Sequence, residues 1–251
     1  MNIDSLILTL ARPPAEFAWA WALERLAYEP LNEHILPALT VETKAQPRAD
    51  ELFLWFGAPG TDDWSDLHHY LSEAERARAS RFRFEADRWS FAAAHAGLRV
   101  LLGPMVGCAP HALRFAAGTN GKPCLDYARH HGAVVQFNIS HTRGCVAVAI
   151  AGCPIGVDVE QRRALPDLMA VARTVFAPAA CASLAARAEG AARTALFYRH
   201  WTLGEAFIKA TGEGMTQDLS SFAFTDQGTP ALIRVSADWG PLERWRFYCE
   251  P

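Results

Sequence analysis

No C-x-x-C pair occurs in the 251 residues; the six cysteines are scattered at positions 108, 124, 145, 153, 181 and 249. That spacing offers neither a zinc site nor a disulfide frame, so they read as reduced thiols. No apolar run reaches the roughly 18 residues that a membrane-spanning helix needs. Positive charge is not in excess either: a net charge of −3 gives no general attraction for nucleic acid or an anionic membrane. The opening Met1-Asn2-Ile3-Asp4-Ser5-Leu6 lacks a basic start and soon meets Arg12-Pro13-Pro14. It does not read as a secretory signal, and the cytoplasm is the expected compartment. Short repeats and low-complexity tracts are missing too. Apolar content is ample, at 51%, enough for a packed core in one large domain or two modest ones.

Along the chain, Ala15 to Leu26 is Trp- and Ala-rich with helical periodicity, and Pro30, Pro37 and Pro47 interrupt the next twenty or so positions. Glu51 to Phe56 reads as a buried strand. Ser72-Glu73-Ala74-Glu75 is a capping-box signature, opening a helix that carries Arg76, Arg78, Arg81 and Arg83. Asp87 is the expected N-cap of a second helix whose buried face holds Phe91, Ala94, Leu98, Leu101 and Leu102, with Gly103-Pro104 as its stop. From Arg114 to Ile150 the pattern is β-rich, with a turn over Gly118–Pro123 and strands over Ala133–Ile139 and Cys145–Ile150 around a turn at Ser140–Gly144. The second half repeats the outline: helical matter from Pro166 to Gly190, a long helix over Ala191–Ala210, then short strands at Phe222–Phe224, Ala231–Val235 and Trp245–Tyr248. No regular βαβ alternation is visible, so the expected class is α+β, with two αβ halves meeting near Gly152. The divisions are an extension over residues 1–50, a first half over 51–152 and a second over 153–251.

Ile155-Gly156-Val157-Asp158-Val159-Glu160 alternates apolar and acidic residues, which puts both valines on one strand face and both acids on the other. Residues two apart on a strand lie about 6.5–7 Å from each other, close enough to share an ion or its waters. On the long helix Trp201, Glu205 and Lys209 recur every four residues and share a face. Three carboxylates suit a hard divalent cation such as Mg²⁺, which takes one or two of them and fills its shell with water and phosphate oxygens. Taken alone, the strand acids fit a solvated surface equally well, and Glu205 with Lys209 fits an ordinary helix ion pair.

These segments stand in a fixed order: Ser72–Phe84, Gly121-Lys122-Pro123, Phe137-Asn138-Ile139-Ser140-His141, Ile155–Glu160, and Trp201–Gly214. The set resembles the 4′-phosphopantetheinyl transferases, in the larger pseudo-dimeric form that includes the surfactin-synthetase activator. The resemblance implies two similar αβ halves forming a pseudo-dimer within a monomer. It implies a holo-[acyl-carrier-protein] synthase type of enzyme that moves the phosphopantetheine arm of coenzyme A onto a serine of an apo acyl or peptidyl carrier protein. Mg²⁺ is required and adenosine 3′,5′-bisphosphate is released.

By the same resemblance Asp158, Glu160 and Glu205 hold the metal, and Glu205 helps remove the serine proton, directly or through a metal-bound water. Arg78, Lys122 and His141 surround the nucleotide, with Gly121, Pro123 and Ser140 at close backbone approach. Lys209 approaches the diphosphate, and Asp158 serves both metal and coenzyme A. The arginines of the Ser72 helix could equally be solvated against Glu73, Glu75 and Glu85. One position departs from the family pattern: Gly204 stands where a first lysine belongs. Either Arg162, Arg163 or Arg199 substitutes, or coenzyme A binds more weakly. A different outcome for the same pattern is a non-catalytic module that binds coenzyme A or a carrier protein.

Overall fold

In the computed structural model the described residues are 6–11, 28–30, 46–47, 52–58, 64–133, 135–142, 144–214, 218–234 and 245–250. The helix expected over Ala15–Leu26 lies outside them. The strands are β1 (Leu6–Ala11), β2 (Tyr28–Pro30), β3 (Leu52–Ala58), β4 (Phe115–Ala117), β5 (Pro123–Leu125), β6 (Gln136–Thr142), β7 (Cys145–Ala151), β8 (Ile155–Val159), β9 (Ala223–Phe224), β10 (Leu232–Arg234) and β11 (Trp245–Glu250). The α-helices are α1 (Glu73–Ala79), α2 (Glu85–Val106), α3 (Leu168–Val175), α4 (Pro178–Ala186) and α5 (Ala191–Thr211). The mixture is α+β, as the sequence pattern predicts.

A four-stranded sheet runs β2-β3-β7-β6, with β2 parallel to β3 and the other pairs antiparallel. Its strand β7 is buried along its whole length, and alternation decides what each face receives. Val146, Val148 and Ile150 face the core built on α2, where Leu98, Leu101 and Leu102 are buried. Ala147, Ala149 and Ala151 form the opposite face; their small side chains leave room for Ile155, Val157 and Val159 of β8.

The capping box at Ser72 is complete, but the helix it opens ends at Ala79 with Ser80 as its cap, so Arg81 and Arg83 lie beyond the helix expected to carry them. The Glu75 N–H donates to Ser72 Oγ, and the Ser72 N–H donates back to Glu75 Oε2 at 2.8 Å. Helix α2 begins earlier than expected, with Phe84 rather than Asp87 at its cap. It also runs through Gly103-Pro104 and closes only at Gly107, whose φ of 71° suits glycine. Proline breaks a helix chiefly through the turn before it, and here only one short turn remains beyond Pro104.

Strand β6 also departs from expectation. It starts at Gln136 and continues through Thr142, which pairs with Cys145. Ser140 and His141 therefore lie on the strand itself and not in the turn, and Gly144, at φ 84°, makes the reversal.

The second sheet is three-stranded, β11-β1-β8, with β1 in the middle and antiparallel to both neighbours. The extension over residues 1–50 thus supplies the central strand of the sheet that carries Asp158. Side chains join the two sheets where no backbone ladder does. The Val157 N–H donates to Asn138 Oδ1 at 2.9 Å, and the Val159 N–H donates to Ser140 Oγ at 3.4 Å. Both contacts advance by two residues in the same sense, so β6 and β8 run parallel here. Asn138 and Ser140 are polar because they must accept the N–H groups that a neighbouring strand would otherwise satisfy.

Helix α5 lies against β8 at Gly156. A Cβ there would strike the Ala206 carbonyl oxygen and come within 2.6 Å of Ala210 N. The other side of α5 closes over Phe222, Phe224, Trp245 and Phe247, with Phe207 at the centre of edge-to-face ring contacts. Helices α3 and α4 pack on its N-terminal part through Leu168, Leu184 and Phe197.

Candidate active site

Strand β8 and helix α5 bring Asp158 and Lys209 together. Asp158 is 4% exposed, which excludes the solvated-face reading for this acid. Lys209 Nζ donates to Asp158 Oδ1 at 2.6 Å, to Ser140 Oγ at 3.1 Å and to the Val157 carbonyl at 3.2 Å. Ser140 Oγ donates to the same Oδ1 at 2.9 Å. The other oxygen, Asp158 Oδ2, is buried with no partner among the described residues. A carboxylate oxygen left bare in a buried site is costly unless a ligand completes it.

The remaining acids lie on the same cavity wall. Glu160 Oε1 accepts from Trp201 Nε1 at 3.3 Å, which explains the shared face of Trp201 and Glu205 on α5 as a structural link to the end of β8. Burial raises the Glu160 pKa above the ordinary carboxylate value, and the negative charges of Asp158 and Glu205 add to the rise. Burial likewise raises that of Glu205, with Asp158 contributing and Lys209 opposing. Among the described residues, however, no three His, Cys, Asp or Glu side chains stand close enough to form a ready-made metal cage. The expected three-carboxylate grip is not preassembled. Asp158 is bonded by Lys209 and Ser140, and Glu160 by Trp201.

Two cavities meet at this wall, and Glu205 and Lys209 line both. The smaller, about 410 Å³, is lined by Asp158, Glu160 and Glu205 from β8 and α5 and by Arg78, His95 and His141 from α1, α2 and β6. The larger, about 640 Å³, is lined by Gly121, Lys122 and Pro123 together with Val175, Ile208 and Leu219. The three expected nucleotide residues are therefore divided. Arg78 and His141 share the smaller cavity, whereas Lys122 lines the larger one.

Arg78 is not neutralised by its helix. Glu75 is engaged elsewhere, by Ser72, His95 and Arg99. The Arg78 guanidinium instead lies 5.2 Å from the centre of the Phe91 ring, with no carboxylate partner among the described residues. His141 presents an open edge to solvent, yet surrounding protein pulls its pKa below the ordinary imidazole value, helped by the charges of His95 and Lys209.

Lys122 Nζ donates to the Ile155 carbonyl at 3.1 Å and more weakly to that of Ala210 at 3.4 Å. Burial lowers its pKa to about 8. Together with Asn120 Nδ2, which donates to the Gly212 carbonyl at 3.2 Å, it ties the Gly118–Pro123 turn to the end of α5.

Gly204 has a packing reason. A Cβ there would strike Leu219 Cδ2 and lie 3.3 Å from Phe222 Cε2. The substitutes expected for the missing lysine are committed elsewhere. Arg199 donates to the Thr225 and Gly228 carbonyls and Arg163 to Gln161 Oε1, and neither these two nor Arg162 lines either cavity. His95 is the site residue that the sequence pattern missed; a single histidine in an alanine-rich helix gives no spacing signal.

Sequence profiles match both parts of the chain. That of the 4′-phosphopantetheinyl transferase superfamily covers residues 154–249, and that described as 4′-phosphopantetheinyl transferase, N-terminal, covers residues 55–154. The chain belongs to the 4′-phosphopantetheinyl transferase superfamily. It is 32% identical over 200 residues to 4′-phosphopantetheinyl transferase HetI of Nostoc sp., covering 78% of this chain and 83% of that protein. It is 30% identical over 186 residues to psf-1 of Bacillus pumilus, covering 74% and 77%. With Sfp of Bacillus subtilis it shares 28% over 155 residues, 61% of this chain and 66% of Sfp. The transferase is thus of the Sfp type. No helix among its described residues is long and apolar enough to cross a membrane.

Proposed function

We propose that this transferase moves the 4′-phosphopantetheine arm of coenzyme A onto a serine of an apo acyl or peptidyl carrier protein, with Mg²⁺ as cofactor. The observation that carries the reading is the lining of the smaller cavity, which joins three carboxylates to a guanidinium, two imidazoles and Lys209. The donor set fits a hard cation. Asp158 Oδ2 is buried and bare, and burial with mutual repulsion raises the pKa of Glu160 and of Glu205. Asp158, Glu160 and Glu205 would hold Mg²⁺, which when bound supplies positive charge beside the diphosphate oxygens.

The chain's own residues do the rest. Arg78 and His141 bind the nucleotide end, and Lys209 Nζ, held by Asp158 and Ser140, stands beside the diphosphate. Lys122, with Gly121 and Pro123, walls the adjoining cavity, on which we place the pantetheine arm and the incoming serine. The serine oxygen attacks the phosphorus that bears the pantetheine. A new P–O bond forms as the bond to the bridging oxygen breaks, and adenosine 3′,5′-bisphosphate leaves. Glu205 lines both cavities, a position from which it would help to remove the serine proton. The halves over residues 51–152 and 153–251 read as a pseudo-dimer because one long helix lies against each sheet, α2 on β6 and β7 and α5 on β8, with β1 of the extension completing the second sheet. One chain supplies both walls, so a cytoplasmic monomer suffices.

Incubating the protein with coenzyme A, Mg²⁺ and an apo-carrier tests this. The expected result is a mass gain on the carrier equal to one phosphopantetheine, absent in Asp158→Ala. Binding of coenzyme A without transfer would mark a non-catalytic module. Release of adenosine bisphosphate without a modified carrier would mark a hydrolase.

A further inference from the structure

The long helix of the second half ends against a turn that belongs to the first. An α-helix leaves its last carbonyls without partners of its own, and two carbonyls at the C-terminal end of α5 are met by side chains of one short segment. Lys122 Nζ donates to the Ala210 carbonyl at 3.4 Å, and Asn120 Nδ2 to that of Gly212 at 3.2 Å. The chain leaving α5 passes so close that a Cβ at Gly214 would lie 3.4 Å from the Asn120 carbonyl oxygen. The segment is itself braced. The Gly118 N–H donates to the Lys122 carbonyl at 2.8 Å, and the Gly121 N–H to that of Gly118 at 3.1 Å. Asn120 takes a φ of 53°, a left-handed conformation that asparagine adopts more readily than most residues.

Lys122 also reaches the other element of the site. Its Nζ donates to the Ile155 carbonyl at 3.1 Å, so one ammonium spans the start of β8 and the end of α5. That span lies beside the close approach of Gly156 to Ala210. No carboxylate pairs with Lys122 among the described residues; its charge lies instead at the negative end of the α5 dipole. Lys209 stands one residue before Ala210 and three before Gly212. The turn that these donors hold is thus the one from which Lys209 reaches Asp158 and Ser140.

We propose that Asn120, together with Lys122, is a positioning residue for the transfer: it caps α5 from the opposite half of the molecule and so keeps Lys209 on Asp158. Its effect on rate rests on the transferase reading above, whereas the clamp is a property of the fold. A helix end that loses its cap opens locally, and Lys209 then leaves Asp158 while the groups that α1, α2 and β6 turn to the nucleotide stay in place.

Asn120→Asp tests this most sharply. Aspartate tolerates the same backbone conformation, but it sets a carboxylate against the Gly212 carbonyl, acceptor facing acceptor. Asn120→Gly keeps the conformation and removes only the donor. The full chain is assayed for transfer to an apo-carrier, for coenzyme A binding by calorimetry, and for hydrogen exchange along α5. Asn120→Asp should lower kcat about three- to tenfold, the size of one lost hydrogen bond. Coenzyme A affinity should change by less than about twofold, and Asn120→Gly should lie between the variant and the parent. Exchange should quicken at residues 207–212 and not at 192–200. A further readout needs no turnover. The chain has three lysines, at 44, 122 and 209, so limited acetylation with acetic anhydride, read by mass spectrometry, compares Lys209 with Lys44. That ratio should rise in Asn120→Asp. An unchanged kcat, a parallel loss of coenzyme A affinity, or exchange that quickens evenly along α5 overturns the proposal. If the unsubstituted protein modifies the carrier and Asn120→Asp does so equally well with unchanged Lys209 labelling, only the positioning role fails. If the unsubstituted protein modifies no carrier, the transferase reading fails, and the labelling ratio alone decides the clamp.

Discussion

Glu160 and Glu205 are held above the usual carboxylate range by burial first and by neighbouring negative charge second. A carboxyl whose folded pKa exceeds its unfolded value binds more protons folded than unfolded, so its contribution to stability falls as pH rises through that window. At neutral pH both acids therefore work against the fold until a cation joins them. Glu205→Gln removes one like charge. It should stabilise the metal-free protein at neutral pH by about 0.5 kcal/mol, a value reduced by solvent screening at a half-buried position, while abolishing transfer. Thermal melting with and without Mg²⁺ checks this, because Mg²⁺ should raise the melting temperature of the unsubstituted protein more than that of the variant. Glu75 has the opposite sign. Its folded pKa of about 2 lies below the ordinary 4.5, so the stability it contributes is present above about 4.5 and lost as pH falls toward 2. Glu75→Ala should flatten that acid limb of a pH–stability profile and cost about 3–5 kcal/mol, since it leaves Arg99, 2% exposed, without its anion. The acids, Lys209 and Arg78 were legible in the sequence because motif order named them. His95 was not, because its pairing with Glu75, twenty positions earlier and on another helix, leaves no spacing signal. The division of Lys122 from Arg78 and His141 was hidden too, since proximity across two halves leaves no trace in spacing.

Elements are held in relation by small residues at specific contacts. Gly156 lets β8 touch the α5 backbone at Ala206 and Ala210, and this contact sets how far Asp158 stands from Lys209. Gly156→Ala meets backbone atoms that no rotamer change can move. It should cost about 1–3 kcal/mol as overpacking and reduce transfer more than coenzyme A binding, as separate kcat and binding measurements would show. Gly204 is a different case, because the obstructing atom belongs to the Leu219 side chain, which can rotate. Gly204→Lys still has to place a long cation between Leu219 and Phe222, so both melting temperature and transfer should fall. A tighter KM for coenzyme A in that variant would show that the missing lysine was a real loss. At this scale the sequence was readable where periodicity ruled: β3, β7, β8 and α5 stand close to their expected bounds, and the start of α1 stands at its expected cap. It was less so at Pro104 and at Ser140-His141, where the backbone continues through residues that usually end an element. Asn138 and Ser140 read as corner residues in sequence, but they are the bridge between two sheets, a role visible only once β8 is beside β6.

At the scale of the whole molecule, both cavities lie where the two sheets and their long helices meet, and Glu205 and Lys209 line both. Strands far apart in the chain are neighbours in that architecture. Leu6 stands opposite Glu250 in the β1–β11 pairing, and Ile7 opposite Asp158 in the β1–β8 pairing. On the ribosome, β1 therefore waits for one partner about 150 residues away in sequence and for another about 240 residues away. Such long-range pairing slows folding and prolongs exposure of unpaired edges, so the sheet that carries the acidic strand is completed late in synthesis. The same adjacency allows the order of synthesis to be rewritten. A circular permutant that joins Glu250 to Leu6 by a short flexible linker and opens the chain between the exposed Gln227 and Gly228 would make β11 and β1 consecutive. It should fold faster than the parent, by stopped-flow fluorescence of its tryptophans, at unchanged transfer, since the longest-range pairing in the sheet would become a local hairpin.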